Sequence, residues 1–213
     1  MNLLKIDFKF LYVTSLGALF FICFLKASPS QARLPLGNAD TAEILGQNQM
    51  RAQGETQYAS QGGGQLLNFR GRFSANIQND SDIQGELSFS PEGYTMAGFW
   101  KWVPYPDTVS QPAAGARMGF FYGRSEGQTI YGLQGAPTIS KIISMGRLGQ
   151  LIPFAALPVA LESRTDSTSL RVKVSAGTQY THPSLDRFHF LMEYGQPLLN
   201  SDYHFSLALS YDL

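Results

Sequence analysis

From Tyr203 to Leu213 the chain reads YHFSLALSYDL, with apolar or aromatic side chains at every odd position and polar or small ones between them. A helix would scatter that set around its surface, whereas a strand gathers it on one side, so the segment predicts a strand with one apolar face. The same alternation recurs upstream. Leu170, Val172, Val174, Ala176, Thr178 and Tyr180 oppose Arg171, Lys173, Ser175, Gly177 and Gln179, and Phe69, Gly71, Phe73, Ala75 and Ile77 oppose Arg70, Arg72, Ser74 and Asn76. Phe188, Phe190, Met192 and Tyr194 oppose His189, Leu191, Glu193 and Gly195, while Ile83, Gly85, Leu87 and Phe89 oppose Gln84, Glu86 and two serines. Repetition carries the assignment, because alternation over a few residues is weak evidence taken singly.

Clusters of Gly, Asn, Asp, Ser and Pro punctuate these runs: QGGG near Gly62, NDSD at Asn79 to Asp82, SPEG at Ser90 to Gly93, SEGQ at Ser125 to Gln128, GRLG at Gly146 to Gly149, and RTDST near Asp166. Connections this short suit hairpins and exclude parallel crossovers, so the sheet is expected to be an antiparallel meander. Nine strands are well marked, near 66–77, 83–90, 94–103, 113–124, 129–144, 150–162, 168–180, 187–196 and 202–213. A weaker one over 51–60 makes ten, which is preferred to eight. An even number lets both chain ends emerge on one side, as in bacterial single-chain barrels. Unbroken alternation from Gly127 to Ser144 would set Lys141 beside Ile139 and Ile143, so a bulge is expected near Gly135 or Pro137.

Composition narrows what such a sheet is for. Only 15% of the 213 residues are charged, 44% are hydrophobic and 13% aromatic, against about a quarter charged in an ordinary soluble domain. That argues against disorder and against a nucleic-acid partner. The one long apolar run, residues 10–25, follows Lys5 and Lys9 and precedes SPSQA, with Ser30 and Ala32 placed for cleavage before Arg33. Residues 1–32 therefore read as a secretory signal peptide. The one cysteine, Cys23, lies inside the apolar run and lacks the small neighbours of a lipoprotein acceptor. Without Lys5, Lys9, Lys26 and Asp7, the 16 basic and 16 acidic residues become 13 and 15, so no polybasic surface is expected.

A sheet with one apolar face has two ways to hide it. In a bilayer that face meets lipid and the sheet must close, because an open edge in hydrocarbon leaves backbone groups unpaired. Strands of about 9 to 13 residues suit a tilted crossing, and Tyr94, Trp100, Trp102, Tyr105, Tyr122, Tyr180, Tyr194, Tyr203 and Tyr211 cluster toward strand ends, where interfacial girdles form. In a soluble, lipocalin-like barrel the faces invert, and the apolar stripe encloses an apolar ligand.

The terminal strand, with Phe205, Leu207, Leu209, Tyr211 and Leu213 on one face, resembles the last strand of outer-membrane β-barrels, with Leu213 in place of the usual terminal Phe or Trp. The segments FWKWVPYPDTVSQPAAGARMGFFYGR, PTISK and GRLGQLIPFAALPVAL, within Phe99 to Leu161, resemble parts of bacterial outer-membrane barrel proteins of undefined function. The resemblance implies an all-β, antiparallel, up-and-down transmembrane barrel in the bacterial outer membrane. It further implies lipid around the barrel, and a C-terminal signal formed by those five residues and read by the barrel-assembly machinery. It transfers no catalytic residue.

Arg70, Arg72, Glu86, Lys101, Arg117, Glu162, Arg171, Lys173, His189, Glu193, His204 and Asp212 fall mostly on the face that points into such a barrel, where they are expected to pair as a charge-filled lumen. A gated ion path is the functional alternative. His189 and Glu193 lie four residues apart on one strand face with His204 on the neighbouring strand, an arrangement weighed as a metal or acid/base site and set below charge pairing. None of His182, His189 and His204 carries a recognisable nucleophile signature, and there is no G-x-S-x-G, phosphate loop or HExxH, so no enzyme and no cofactor are expected. Residues 33–50 read as a periplasmic leader or a short plug, with Asp40 or Thr41 and Glu43 as a capping box for a short helix. The barrel domain is expected over 51–213. Its expected role is structural or at the surface, with at most a narrow solute path; a soluble ligand-binding barrel and an outer-membrane lipid hydrolase are the alternatives.

Overall fold

The computed structural model describes residues 37–213 apart from 62, 63, 126 and 166, so the expected signal peptide, with Cys23 and the cleavage position before Arg33, lies outside the described residues. The chain forms β1 (Met50–Gln61), β2 (Gly64–Gln78), β3 (Ser81–Ser90), β4 (Gly93–Tyr105), β5 (Ala113–Ser125), β6 (Gln128–Ser140), β7 (Ile143–Ser144), β8 (Gln150–Ala156), β9 (Val159–Arg164), β10 (Ser167–Thr181), β11 (Phe188–Leu199) and β12 (Tyr203–Asp212). Each strand runs antiparallel to its neighbours, and β1 pairs with β2 on one side and β12 on the other, so the sheet closes on itself. β8 and β9 are two halves of one wall between β6 and β10, and β7 is a two-residue flap on β8. Among the described residues the result is an up-and-down barrel of ten walls.

The divided wall has a local cause. Its gap falls at Leu157 and Pro158, opposite Pro137 of β6. Neither proline has an N–H to give the ladder, and the contact across the gap is the Leu157 amide on the Pro137 carbonyl at 3.0 Å. Register is unchanged through the gap, with Gly135 opposite Val159 and Thr138 opposite Ala156. The bulge expected near Gly135 or Pro137 is therefore absent, and β6 simply ends at Ser140. The Lys141 amide still donates to the Pro153 carbonyl of β8 at 3.1 Å, and β7 keeps the register of β6 with Ile143 opposite Leu151, while the Lys141 ammonium bonds Asp107 Oδ1 at 2.6 Å. A register shift does occur between Val172 and Lys173 of β10, against the part of β11 that contains Pro197.

Closure assigns the two faces. Phe69, Phe73, Leu87, Phe120, Leu133, Leu161 and Leu207 point outward and are 47% to 65% exposed, whereas Arg171 and Lys173 point inward at 1% and 0%. An apolar outside around a charged inside is the arrangement of a transmembrane barrel, which meets hydrocarbon with its outer face. The soluble alternative, with the stripe turned inward, is not the one adopted. Trp100 and Trp102 stack on the exterior, centroids 6.2 Å apart, and the Trp102 indole N–H reaches Asp80 at 3.0 Å.

The two ends of the barrel differ. At one end two or three residues separate successive strands, whereas at the end that carries Met50 and Leu213 two of the connections, 106–112 and 182–187, are longer and 141–149 includes β7. Residues 37–45 do not form the helix that Asp40, Thr41 and Glu43 were expected to cap. Asp40 is drawn across the lumen to Lys101 Nζ at 3.0 Å and Gln84 Nε2 at 2.8 Å, so its carboxylate is committed to the walls.

Candidate functional site

The interior of the barrel is a polar network threaded by residues 37–45. The twelve residues expected in the lumen, Arg70, Arg72, Glu86, Lys101, Arg117, Glu162, Arg171, Lys173, His189, Glu193, His204 and Asp212, have side chains on the inner face. Pairing register then sorts them into separate groups.

Glu86 of β3 is the hub of the first. Its Oε1 accepts Arg72 Nε at 2.5 Å and Arg117 Nη2 at 2.7 Å, and its Oε2 lies 4.0 Å from Arg70 Nε. Arg70 also approaches Glu55 at 3.5 Å. Arg117 lies over Phe99, its guanidinium carbon 3.6 Å from the ring centroid, so the ring covers one face of a buried charge. Other guanidinium donors of Arg72 and Arg117 turn to the threaded segment. Arg72 donates to the carbonyls of Asn38 at 2.7 Å and Ala39 at 3.0 Å, and Arg117 to that of Asn38 at 3.1 Å.

The second group joins Lys173, His204 and Glu193. Lys173 Nζ meets His204 Nδ1 at 2.9 Å, and His204 Nε2 meets Glu193 Oε1 at 3.3 Å. The Glu193 carboxylate also accepts the backbone amides of Asn38, at 3.1 Å, and Ala39. Gly195 makes this possible: it stands opposite His204 in the ladder, and a Cβ there would run into the imidazole ring. In the third group Glu162 holds Arg171 at 2.7 Å and Arg164 at 2.9 Å, and Arg171 approaches Asp202 at 3.7 Å.

His189 belongs to none of these. It sits at the rim with Asp212 Oδ2 2.9 Å from Nε2 and Thr181 Oγ1 2.7 Å from Nδ1, while Asp212 is clasped by Arg51 at 2.5 Å. The spacing that placed His189 and Glu193 on one strand face therefore does not bring them together. Among the described residues no group of three or more His, Cys, Asp or Glu side chains is placed to hold a metal.

Apolar contacts fill what the ions leave. Ala42 of the threaded segment packs with Val103 and Ala113, Phe121 with Ala160, and Phe154 with Leu191 and Ala208. The segment is tied further by the Ala42 amide on Ser140 Oγ at 3.1 Å and the Leu45 amide on Asp82 Oδ2 at 3.2 Å.

Sequence reasoning did not single out Glu55, Asp202 or the wall contacts of residues 38–45. Glu55 was legible in part: Arg51, Gln53, Glu55 and Gln57 alternate as strictly as any run in the chain, opposite the small outward set Ala52, Gly54 and Thr56. The five residues of the expected C-terminal signal lie on β12 or just after it, with Phe205, Leu207, Leu209 and Tyr211 outward and the Leu213 amide on the Met50 carbonyl at 2.9 Å.

No protein-family model and no curated protein matches the chain. Solved structures that match include an outer-membrane channel from Pseudomonas putida F1, 8% identical over 85% of this chain and 100% of that one, with a TM-score of 0.49. The translocator domain of the autotransporter NalP from Neisseria meningitidis is 11% identical over 79% and 88%, TM-score 0.47. Ail, the attachment invasion locus protein of Yersinia pestis, is 12% identical over 78% and 99%, TM-score 0.30. At these identities no residue role passes from them to this chain, and the barrel assignment rests on the strand pairing described above.

Proposed function

We propose that the protein is an integral barrel of a bacterial outer membrane with a structural or surface role and at most a narrow solute path. The observation that carries this reading is the filled lumen. Among the described residues, ion pairs and residues 37–45 occupy it, and voids beside them at Gly37 and Asn38 measure about 40 and 10 Å³. Such spaces admit water and little else. Ten walls enclose a small interior to begin with, whereas water-filled porins have about 16 to 18 strands. The apolar exterior and the leader-like N-terminal run support export and insertion, with lipid around the barrel. On this reading Phe205, Leu207, Leu209, Tyr211 and Leu213 are read by the barrel-assembly machinery, both chain ends face the periplasm, and the two- and three-residue connections at the other end face outward.

The test is fractionation of the expressing cell followed by gel migration with and without boiling, then single-channel recording in a planar bilayer. Recovery with the outer membrane, a mobility shift only on boiling, and no steps beyond small, brief openings are expected. A soluble periplasmic protein without a heat-dependent shift, or a large steady conductance, would overturn the proposal.

A further inference from the structure

At the end that carries Met50 and Leu213, a cavity of about 430 Å³ opens between the threaded segment and the 141–149 and 182–187 connections. Ile44, Ile142, Ile152 and Pro183 give part of it an apolar lining, Glu43, Arg51 and Asp186 bring charge to the rest, and Gln179, Thr181 and His189 face it from the walls. The volume is that of a small-ligand pocket, unlike the voids deeper in the lumen.

The register of β10 with β11 sets Thr181 directly opposite His189. The Thr181 hydroxyl lies 2.7 Å from His189 Nδ1, and the other ring nitrogen lies 2.9 Å from Asp212 Oδ2. Nε2 also lies 3.1 Å from Arg51 Nη2, which can only donate, but the shorter contact is with the Asp212 carboxylate, which can only accept, and on the other side of the ring the Gln179 amide N–H faces Nδ1; together these place the ring proton on Nε2 and direct the Nδ1 lone pair at the hydroxyl. That tautomer is the one a general base needs. Arg51 clasps Asp212 through Nε at 2.5 Å and Nη2 at 3.1 Å and so holds the carboxylate in position. Gln179, two residues before Thr181 on the same face, places its amide nitrogen 3.4 Å from the same Nδ1, which puts an N–H donor beside the hydroxyl.

We propose that Thr181, His189 and Asp212 form a hydrolytic site for carboxylic esters with a short apolar acyl group. Thr181 Oγ attacks the ester carbonyl carbon as its proton passes to His189 Nδ1. The Gln179 amide donates to the oxygen that becomes negative. Collapse of the tetrahedral species breaks the bond to the alcohol, which leaves with the proton from His189. Water, deprotonated by His189, then attacks the acyl-threonine, releasing the carboxylic acid and restoring the hydroxyl. The net reaction is ester plus water to acid plus alcohol. Asp212 is a positioning residue that sets the tautomer. The apolar side chains at the cavity select the acyl group, and the volume limits its length.

This inference stands on the rim geometry and does not depend on whether the lumen conducts. Its test uses the full barrel in non-ionic detergent with p-nitrophenyl butyrate, read by nitrophenol release and by mass spectrometry of the peptide containing Thr181. The wild type is expected to release nitrophenol with a burst and to carry a butyryl group on Thr181. Thr181→Ala should lose about 10² to 10⁴-fold of the rate with its heat-dependent gel shift intact, and Thr181→Ser should retain both burst and adduct. Equal rates for wild type and Thr181→Ala, or an acyl group found elsewhere, would overturn it.

Discussion

Glu193, on the inner face of β11, accepts the backbone amide of Asn38 at 3.1 Å, joining wall and threaded segment across 155 residues of sequence. The same carboxylate accepts the next amide, Ala39, and the ring of His204. One side chain therefore caps two backbone donors that would otherwise be buried without an acceptor, a loss that costs about 1 to 3 kcal/mol for each group.

Replacing that carboxylate should free the segment without dismantling the barrel. The chain's one cysteine is Cys23, in the expected signal peptide, so a cysteine placed at Ala42 reports on this site alone. In the Ala42→Cys background, maleimide should react slowly, and adding Glu193→Gln should speed the reaction about tenfold or more. Equal rates in the two proteins would show that the segment is held by its other contacts.

The Glu86 hub predicts a larger effect. Glu86→Ala leaves Arg72 and Arg117 buried without their shared acceptor, and an uncompensated buried charge destabilises by about 3 to 5 kcal/mol. Urea unfolding in lipid vesicles, followed by the fluorescence of the outward Trp100 and Trp102, should show a clearly lowered midpoint. An unchanged midpoint would mean that water enters this part of the lumen freely.

The outer face makes the opposite demand. Val174 lies at the middle of β10 and is 40% exposed on the outside. Val174→Arg should cost about 2 to 4 kcal/mol, as a cation near the bilayer midplane does, while Val174→Leu should be close to neutral. If arginine there were tolerated as well as leucine, that face would not be meeting lipid.

Outside the walls, Asp107 clasps the 141–149 connection. Burial, the largest single influence on its carboxyl, pushes it up, but the hydrogen bonds from Lys141 and the Ile142 amide, with the charge of Lys141, together outweigh it and hold the carboxyl below the ordinary aspartate range. The Ile142 amide donates to Oδ2 at 2.8 Å. A depressed carboxylate contributes stability above its unfolded pKa and loses it as pH falls through the folded value. The Ile142 amide resonance should therefore hold steady from neutral pH down to about 4 and move only below the ordinary value of 3.8. Asp107→Asn should abolish that movement.

The walls and their facing were legible in the sequence because alternation is a local property: the pleat sends successive side chains to opposite sides whatever the strand pairs with. That is why Leu170 to Tyr180 and Tyr203 to Leu213 disclosed their apolar face without any knowledge of their neighbours, and why Arg70, Arg171 and Lys173 could be assigned to the inside. The turn clusters, and with them the count of walls, follow from the same local chemistry. β1 was faint because its outward residues Ala52, Gly54 and Thr56 are small, which mutes the contrast between its faces.

Which inward groups meet was decided only by closure and register. His189 joins Thr181 and Asp212 because β11 lies between β10 and β12 in a particular alignment, while Glu193, on the same face four residues on, meets His204 and the chain's own segment 37–45. Spacing along one strand carries no information about a partner contributed by another, and a helix-capping pattern such as Asp40 to Glu43 gives way when Lys101 and Gln84 offer its carboxylate better bonds across the lumen. Periodicity determined the walls and their two faces; the long-range pairing of a closed sheet determined the network within.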